Sequence, residues 1–95
     1  MKTLEFDPRK DRRNQTKHGL SLVLARDFAW DTARIEPDAR RDYGELRYRA
    51  IGFIGARLHV VVFTLRGEVI RLIGLRKANG RERKAYGQKE ETSSH

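Results

Sequence analysis

Three runs of alternating apolar residues, separated by two very short reversals, constrain this chain more than any other feature. Leu46 to Ile54, Arg57 to Leu65 and Glu68 to Arg76 are rich in Val, Ile, Phe and Tyr and repeat with a period of two. That period marks strands with one buried face. Gly55-Ala56 and Arg66-Gly67 leave room only for tight turns, so the runs form a meander of antiparallel strands. Ahead of them, Leu4-Glu5-Phe6 alternates and reads as a short strand. Ser21 suits a helix N-cap, and Leu22, Val23, Ala25, Phe28 and Ala29 recur near helical spacing, predicting a helix to about Trp30. Residues 31–43 are polar, contain Pro37 and read as a loop. Asn79 caps a short last helix from Gly80 to Tyr86, and QKEETSSH after Gly87 reads as a frayed polar tail. The expectation is an α+β chain: one domain over 1–87, a tail over 88–95, and a small antiparallel sheet. Two N-terminal helices and a short C-terminal one lie on one face of that sheet, leaving the other free for a ligand.

The first of those helices is unusual. Asp7 suits the N-cap, Pro8 the first turn, and Gly19 the left-handed residue past the end. Lys17 and His18 fall in the last turn, where cations complement the helix dipole. Between these signals, DPRKDRRNQTKHG offers no large apolar side chain to bury. Lys10, Asn14, Lys17 and His18 share one face by their spacing, and Arg9, Arg12 and Arg13 cover much of the rest. Two readings stand: a solvated helix pinned by its caps and long side-chain stems, or a helix facing a polyanion, with His18 titrating near neutral pH.

The net charge of +8 over 95 residues favours a polyanionic partner. The strands carry part of it. Arg47 and Arg49 share a face with Ile51 and Phe53. Arg71 lies between Val69 and Ile73 on one face, while Arg76 has the parity of Ile70, Leu72 and Gly74. These arginines are either a solvent-facing row or a basic surface gripping phosphate with planar forked donors. The stretch from Arg76 adds Lys77, Arg81 and Arg83, and Glu82 is a helical neighbour of Tyr86, a residue type that packs more often than it reacts.

Several functional classes drop out. With no cysteine, there is no disulfide, thiolate metal site or Cys nucleophile. His18, His59 and His95 are scattered without metal-ligand spacing, so no metal or cofactor is expected. No secretory signal follows the N-terminus, and runs such as Val60 to Phe63 are too short to span a bilayer; no membrane role is expected, and the cytoplasm is the default location.

Taken together, Phe6-Asp7-Pro8, Lys10, Asn14, Lys17-His18-Gly19 and Ser21 resemble the opening of the BrnT toxin family. Tyr43-Gly44-Glu45, Arg47, Gly52, Val62-Phe63-Thr64, Arg71, Arg76-Lys77-Ala78, Glu82-Arg83 and Tyr86 are similar to its later signatures, in order, over about residues 4–87. The chain departs from the family pattern at Leu22-Val23-Leu24, where acidic residues are common, and at Gly74-Leu75, where Ser-Ala is common. The resemblance implies a RelE-like fold and a ribonuclease toxin of a type II toxin–antitoxin pair that inhibits translation by cleaving RNA. It also implies a cognate DNA-binding antitoxin that neutralises the toxin, with operator DNA contacted only through that antitoxin; the ribosome is a further candidate partner.

RNA cleavage without a metal uses the 2′-hydroxyl as nucleophile, and basic side chains can position, move protons and neutralise charge. On this reading His18 is the natural proton carrier, with Lys17 or Lys77 able to serve instead if neighbouring cations depress their pKa. Arg47, Arg71 and Arg76 would hold the scissile phosphate, while Tyr86 would stack on a base or share the proton work. Lys10, Arg13, Asn14, Lys77, Arg81 and Arg83 would contact RNA. The alternatives are a noncatalytic nucleic-acid-binding module and a protein-interaction domain meeting an acidic partner.

Overall fold

The computed structural model describes residues 3–39 and 44–93. Its elements are β1 (Thr3–Glu5), α1 (Pro8–His18), 3-10 turns at Leu22–Asp27 and Trp30–Thr32, β2 (Arg34–Pro37), β3 (Tyr48–Ile54), β4 (Arg57–Arg66), β5 (Val69–Lys77) and α2 (Gly80–Ser93). The five strands lie in the order β1-β5-β4-β3-β2. The meander is as expected, with each strand boundary within two residues; Gly55 and Gly67 turn it with φ of 60° and 61°, a conformation that only glycine adopts without cost. The sheet is mixed, however, because β1 pairs with β5 in parallel.

Four other expectations are corrected. The segment after Ser21 is not an α-helix. Leu22, Ala25 and Phe28 are all buried and recur every three residues, which is the repeat of a 3-10 helix. Phe28 then bridges to Ile54 and the Ala29 N–H donates to Phe53 O at 2.8 Å, so sheet pairing ends the coil. The loop over 31–43 contains β2, whose residues Arg34 to Pro37 pair with Ile51 to Tyr48. As an edge strand it tolerates proline, whose missing N–H costs no ladder bond. Residues 40–43, including Tyr43, lie outside the described residues, as does His95. The C-terminal helix does not stop at Tyr86 but runs through Ser93, taking up most of the expected tail. Its start is a reciprocal capping box: the Glu82 N–H donates to Asn79 Oδ1 and the Asn79 N–H donates to Glu82 Oε1.

Lastly, the helical segments are shared between both faces of the sheet. On one face the 3-10 turns bring Leu22, Ala25 and Phe28 onto Ala50, Val61, Phe63, Leu72 and Leu75. On the other, Tyr86 of α2 packs with Ile51, Leu58 and Val60. Burying each large side chain contributes about 1.5–3 kcal/mol, so β4, apolar on both sides, anchors two clusters at once.

One irregularity re-aims β5. Phe63 pairs with Leu72 but Val62 pairs with Gly74, leaving Ile73 as an extra residue. A β-bulge of this kind shifts alternation by one. Arg71 and Arg76 therefore lie on the same face, although strict alternation from the sequence separates them.

Candidate functional site

Polar side chains hold α1 in place. Asn14 is buried, 6% exposed. Its Nδ2 donates to Leu20 O and to Leu75 O, both at 2.8 Å, and its Oδ1 accepts from the Leu75 N–H at 3.0 Å. β1 ends at Glu5, opposite Arg71, so β5 has no strand neighbour on that side beyond this point. The Asn14 amide takes the place of a strand there by satisfying both backbone groups of Leu75. Asp11 makes a second attachment, with Oδ1 accepting from the Leu22 N–H at 2.7 Å and from Ser21 Oγ at 3.0 Å. These bonds lower the Asp11 pKa, the Leu22 N–H having the largest effect. The ends are capped as the sequence predicts: Asp7 accepts from the Arg9 N–H, and Gly19, at φ 72°, donates to Gln15 O.

So docked, α1 forms one wall of a cleft of about 370 Å³ on the α2 face of the sheet. Lys10, Arg13, Asn14, Lys17 and His18 come from α1, Arg47 from the approach to β3, and Arg76 from β5. Val60, Val62, Ile73 and Gly74 supply an apolar floor, and Asp38 is the acidic residue in the lining. Arg76 is aimed by a forked pair with Glu82, Nη1 to Oε1 at 2.7 Å and Nη2 to Oε2 at 2.8 Å. The Arg76 bonds bring the Glu82 carboxyl down to about 2 from 4.5. Arg47 Nε lies 3.8 Å from Glu45 Oε1.

His18 has a pKa lowered from its ordinary 6.5, first by partial desolvation and then by the positive charges of Lys17 and Arg76. The side chain is thus mostly neutral at pH 7, the form that can accept a proton.

The cleft therefore gathers His18, Lys17, Arg47, Arg76, Lys10, Arg13 and Asn14, with Asn14 spent on docking. It does not include the other residues singled out from sequence. Arg71 shares the sheet face but pairs with Glu5 at 2.7 Å. Lys77 pairs with His59 across the ladder and by alternation faces the other way. Arg81 and Arg83 are exposed on α2. Tyr86 is 7% exposed, packs edge-on against Phe53 and donates its hydroxyl to Thr32 O at 3.1 Å. It pins α2 to the body of the protein.

Sequence reasoning missed Asp38, which is 6% exposed and donates its backbone N–H to Arg47 O at 2.8 Å. It sits in the segment read as a loop, where one acidic residue among several carries no signal. Glu82 as the partner of Arg76 was legible in principle, since the capping box fixes where its carboxylate sits. No described helix is long and apolar enough to cross a membrane.

The chain was compared with known families, curated proteins and solved structures. The family model of the ribonuclease toxin BrnT of type II toxin–antitoxin systems matches residues 6–82. The 1.1 Å crystal structure of the Brucella abortus ribonuclease toxin BrnT is similar in fold, with a TM-score of 0.66 at 26% identity; the match covers 83% of this chain and 99% of that one. None of the curated proteins compared matches the chain.

Proposed function

The chain belongs to the BrnT family of ribonuclease toxins from type II toxin–antitoxin systems, and from that premise we propose that the cleft beside α1 cuts RNA by activating the substrate's own 2′-hydroxyl, without a metal. The observation that carries this reading is the convergence of His18, Arg47 and Arg76, from three separate elements, on one cleft.

Neutral His18 would accept the 2′-hydroxyl proton as that oxygen attacks phosphorus. The bond to the 5′-oxygen then breaks, leaving a 2′,3′-cyclic phosphate, and the leaving oxygen takes a proton from Lys17. Arg47 and Arg76 would hold the phosphate as negative charge builds on it. Arg76 can do so although Glu82 holds its fork, because the guanidinium stays charged and lies in the cleft lining beside the phosphate position. Lys10 and Arg13 would track the backbone, while Arg71, Lys77, Arg81 and Arg83 lie where they could meet RNA only beyond the scissile linkage. The cellular counterpart is a toxin with the RelE-like architecture that inhibits translation in the cytoplasm. A cognate antitoxin would neutralise it and carry the DNA-binding function of the pair.

Cleavage of RNA in EDTA tests the proposal. Wild-type protein should leave 2′,3′-cyclic phosphate and 5′-hydroxyl ends. His18→Ala should cut about 10²–10⁴-fold more slowly with RNA affinity nearly unchanged. The acid limb of kcat/KM should lie below pH 6.5 and vanish in that variant. Intact RNA after incubation with the folded, antitoxin-free protein, alone and with ribosomes, would refute cleavage. Salt-sensitive RNA binding without cleavage, weakened by alanine changes in proportion to lost phosphate contacts, would instead identify a noncatalytic nucleic-acid-binding module.

A further inference from the structure

The opposite face of the sheet carries a second, chemically different concavity. The 3-10 turns cover only part of that face, and the remainder is a trough of about 740 Å³. Leu4, Ile70, Leu65, Phe63, Tyr48 and Ile35 lie along it from β1 to β2, with Trp30 closing one side. Trp30 meets Phe63 edge-on at 5.4 Å, and Tyr48 stacks on Phe63 at 5.5 Å, so the base is rigid and aromatic. Leu65 is 39% exposed and Ile35 50% exposed. Apolar side chains left in water on a preformed concave surface mark an interaction site.

We propose that this trough, and not the basic cleft, is the anchoring surface for the cognate antitoxin, which inserts an apolar segment carrying an acidic residue. The proposal rests on the type II pairing of the family, and two observations narrow the occupant. The trough crosses all five strands, a width of roughly 19 Å at about 4.8 Å per strand spacing. An amphipathic helix of roughly 13 residues matches that length. Arg26 is the charged side chain in the lining, and among the described residues it makes no ion pair, so it offers an acidic partner residue a contact. A second copy of the chain fits poorly: a twofold interface would oppose the two trough faces and bring together molecules each carrying +8. The anchor lies on the reverse of the sheet from His18. An antitoxin held there would need a further segment passing round the sheet edge to obstruct the cleft.

Calorimetry with the protein encoded in the reading frame adjoining this gene tests the idea. Ile35→Asp and Leu65→Asp should each weaken binding about 30-fold or more, the loss expected of an interface anchor. Arg26→Glu should weaken it about tenfold. Both Asp variants replace exposed side chains and should melt within a few degrees of wild type, and as free proteins they should show wild-type RNA cleavage. Heats of complex formation are read whether or not RNA is cut, so failure here is distinct from failure of the ribonuclease reading. Unchanged affinity in both Asp variants would overturn the proposal. So would binding lost only on Lys17→Glu, which would put the antitoxin in the cleft. A homodimer seen by sedimentation and dissolved by Leu65→Asp would assign the trough to self-association and overturn it as well.

Discussion

Asn14→Ala should unfold much of the protein's stability margin although it removes only a small polar side chain. The substitution deletes two donors and one acceptor and leaves Leu20 O, Leu75 O and the Leu75 N–H without their partner. A buried polar group left unsatisfied costs about 1–3 kcal/mol. Both Leu75 groups are enclosed, whereas Leu20 O is partly open to water, so the sum is roughly 3–5 kcal/mol. Domains of this size melt roughly 4–8 °C lower for each kcal/mol lost, which predicts a drop of about 12 °C or more. Asn14→Asp is a near-isosteric companion. It keeps the acceptor for Leu75 but sets a carboxylate oxygen against two carbonyls, so it should be about as damaging. Thermal melts and urea titrations followed by circular dichroism read both, and RNA cleavage should fall in step with the folded fraction. An Asn14→Ala variant melting within about 2 °C of wild type would refute the docking argument. If that variant also lost cleavage, Asn14 would be an RNA contact instead.

Two further substitutions test the surroundings. Glu82 is held at about 2 against an ordinary 4.5, so its pair with Arg76 stabilises the fold above pH 4.5 and is lost as pH falls toward 2. With a side chain still 12% exposed, the contribution is about 1–2 kcal/mol after solvent screening. The urea midpoints of wild type and Glu82→Gln should therefore differ at pH 6 and draw together as pH falls from 4.5 toward 2; a gap independent of pH would show that the carboxylate charge is not responsible. Gly52→Ala would place a Cβ 2.8 Å from Phe28 Cζ and 3.2 Å from Ala33 Cβ. That overpacking should cost about 1–3 kcal/mol, seen as a lower melting temperature with unchanged cleavage by the folded protein at low temperature.

What was legible in the sequence was local. The meander, both caps of α1 and the Asn79 cap of α2 each depend on residues a few positions apart, and all appear in the structure. The errors have non-local causes. Leu22, Ala25 and Phe28 fit a period of three as well as one of 3.6 over so short a span, and pairing with β3 decides between them. β2 is polar and ends in Pro37, so only its partner identifies it as a strand. The Ile73 bulge leaves no compositional trace, yet it moves Arg76 to the face of Arg71. Asn14 has the spacing of a solvent-facing residue alongside Lys10, Lys17 and His18. Its partner Leu75 is 61 residues away, and nothing near position 14 announces it.

The cations of α1 and those of the strands differ in a way that bears on mechanism. Three strand arginines are matched with carboxylates: Arg49 with Glu36 at 2.6 Å, Arg71 with Glu5 at 2.7 Å and Arg76 with Glu82 at 2.7 Å. Among the described residues, Lys10, Arg13 and Lys17 of α1 make no ion pair. Cations without a carboxylate partner thus line α1 where it meets the cleft, and the helix, with so little to bury, is held by the Asn14 and Asp11 attachments. Desolvation first, and then the charges of Lys17 and Arg76, lower the His18 pKa. A phosphate entering the cleft would bring negative charge beside those cations and cancel part of that field, raising the proton affinity of His18. In the proposed mechanism His18 would thereby become a stronger base once substrate is bound, at the step where the 2′-hydroxyl gives up its proton.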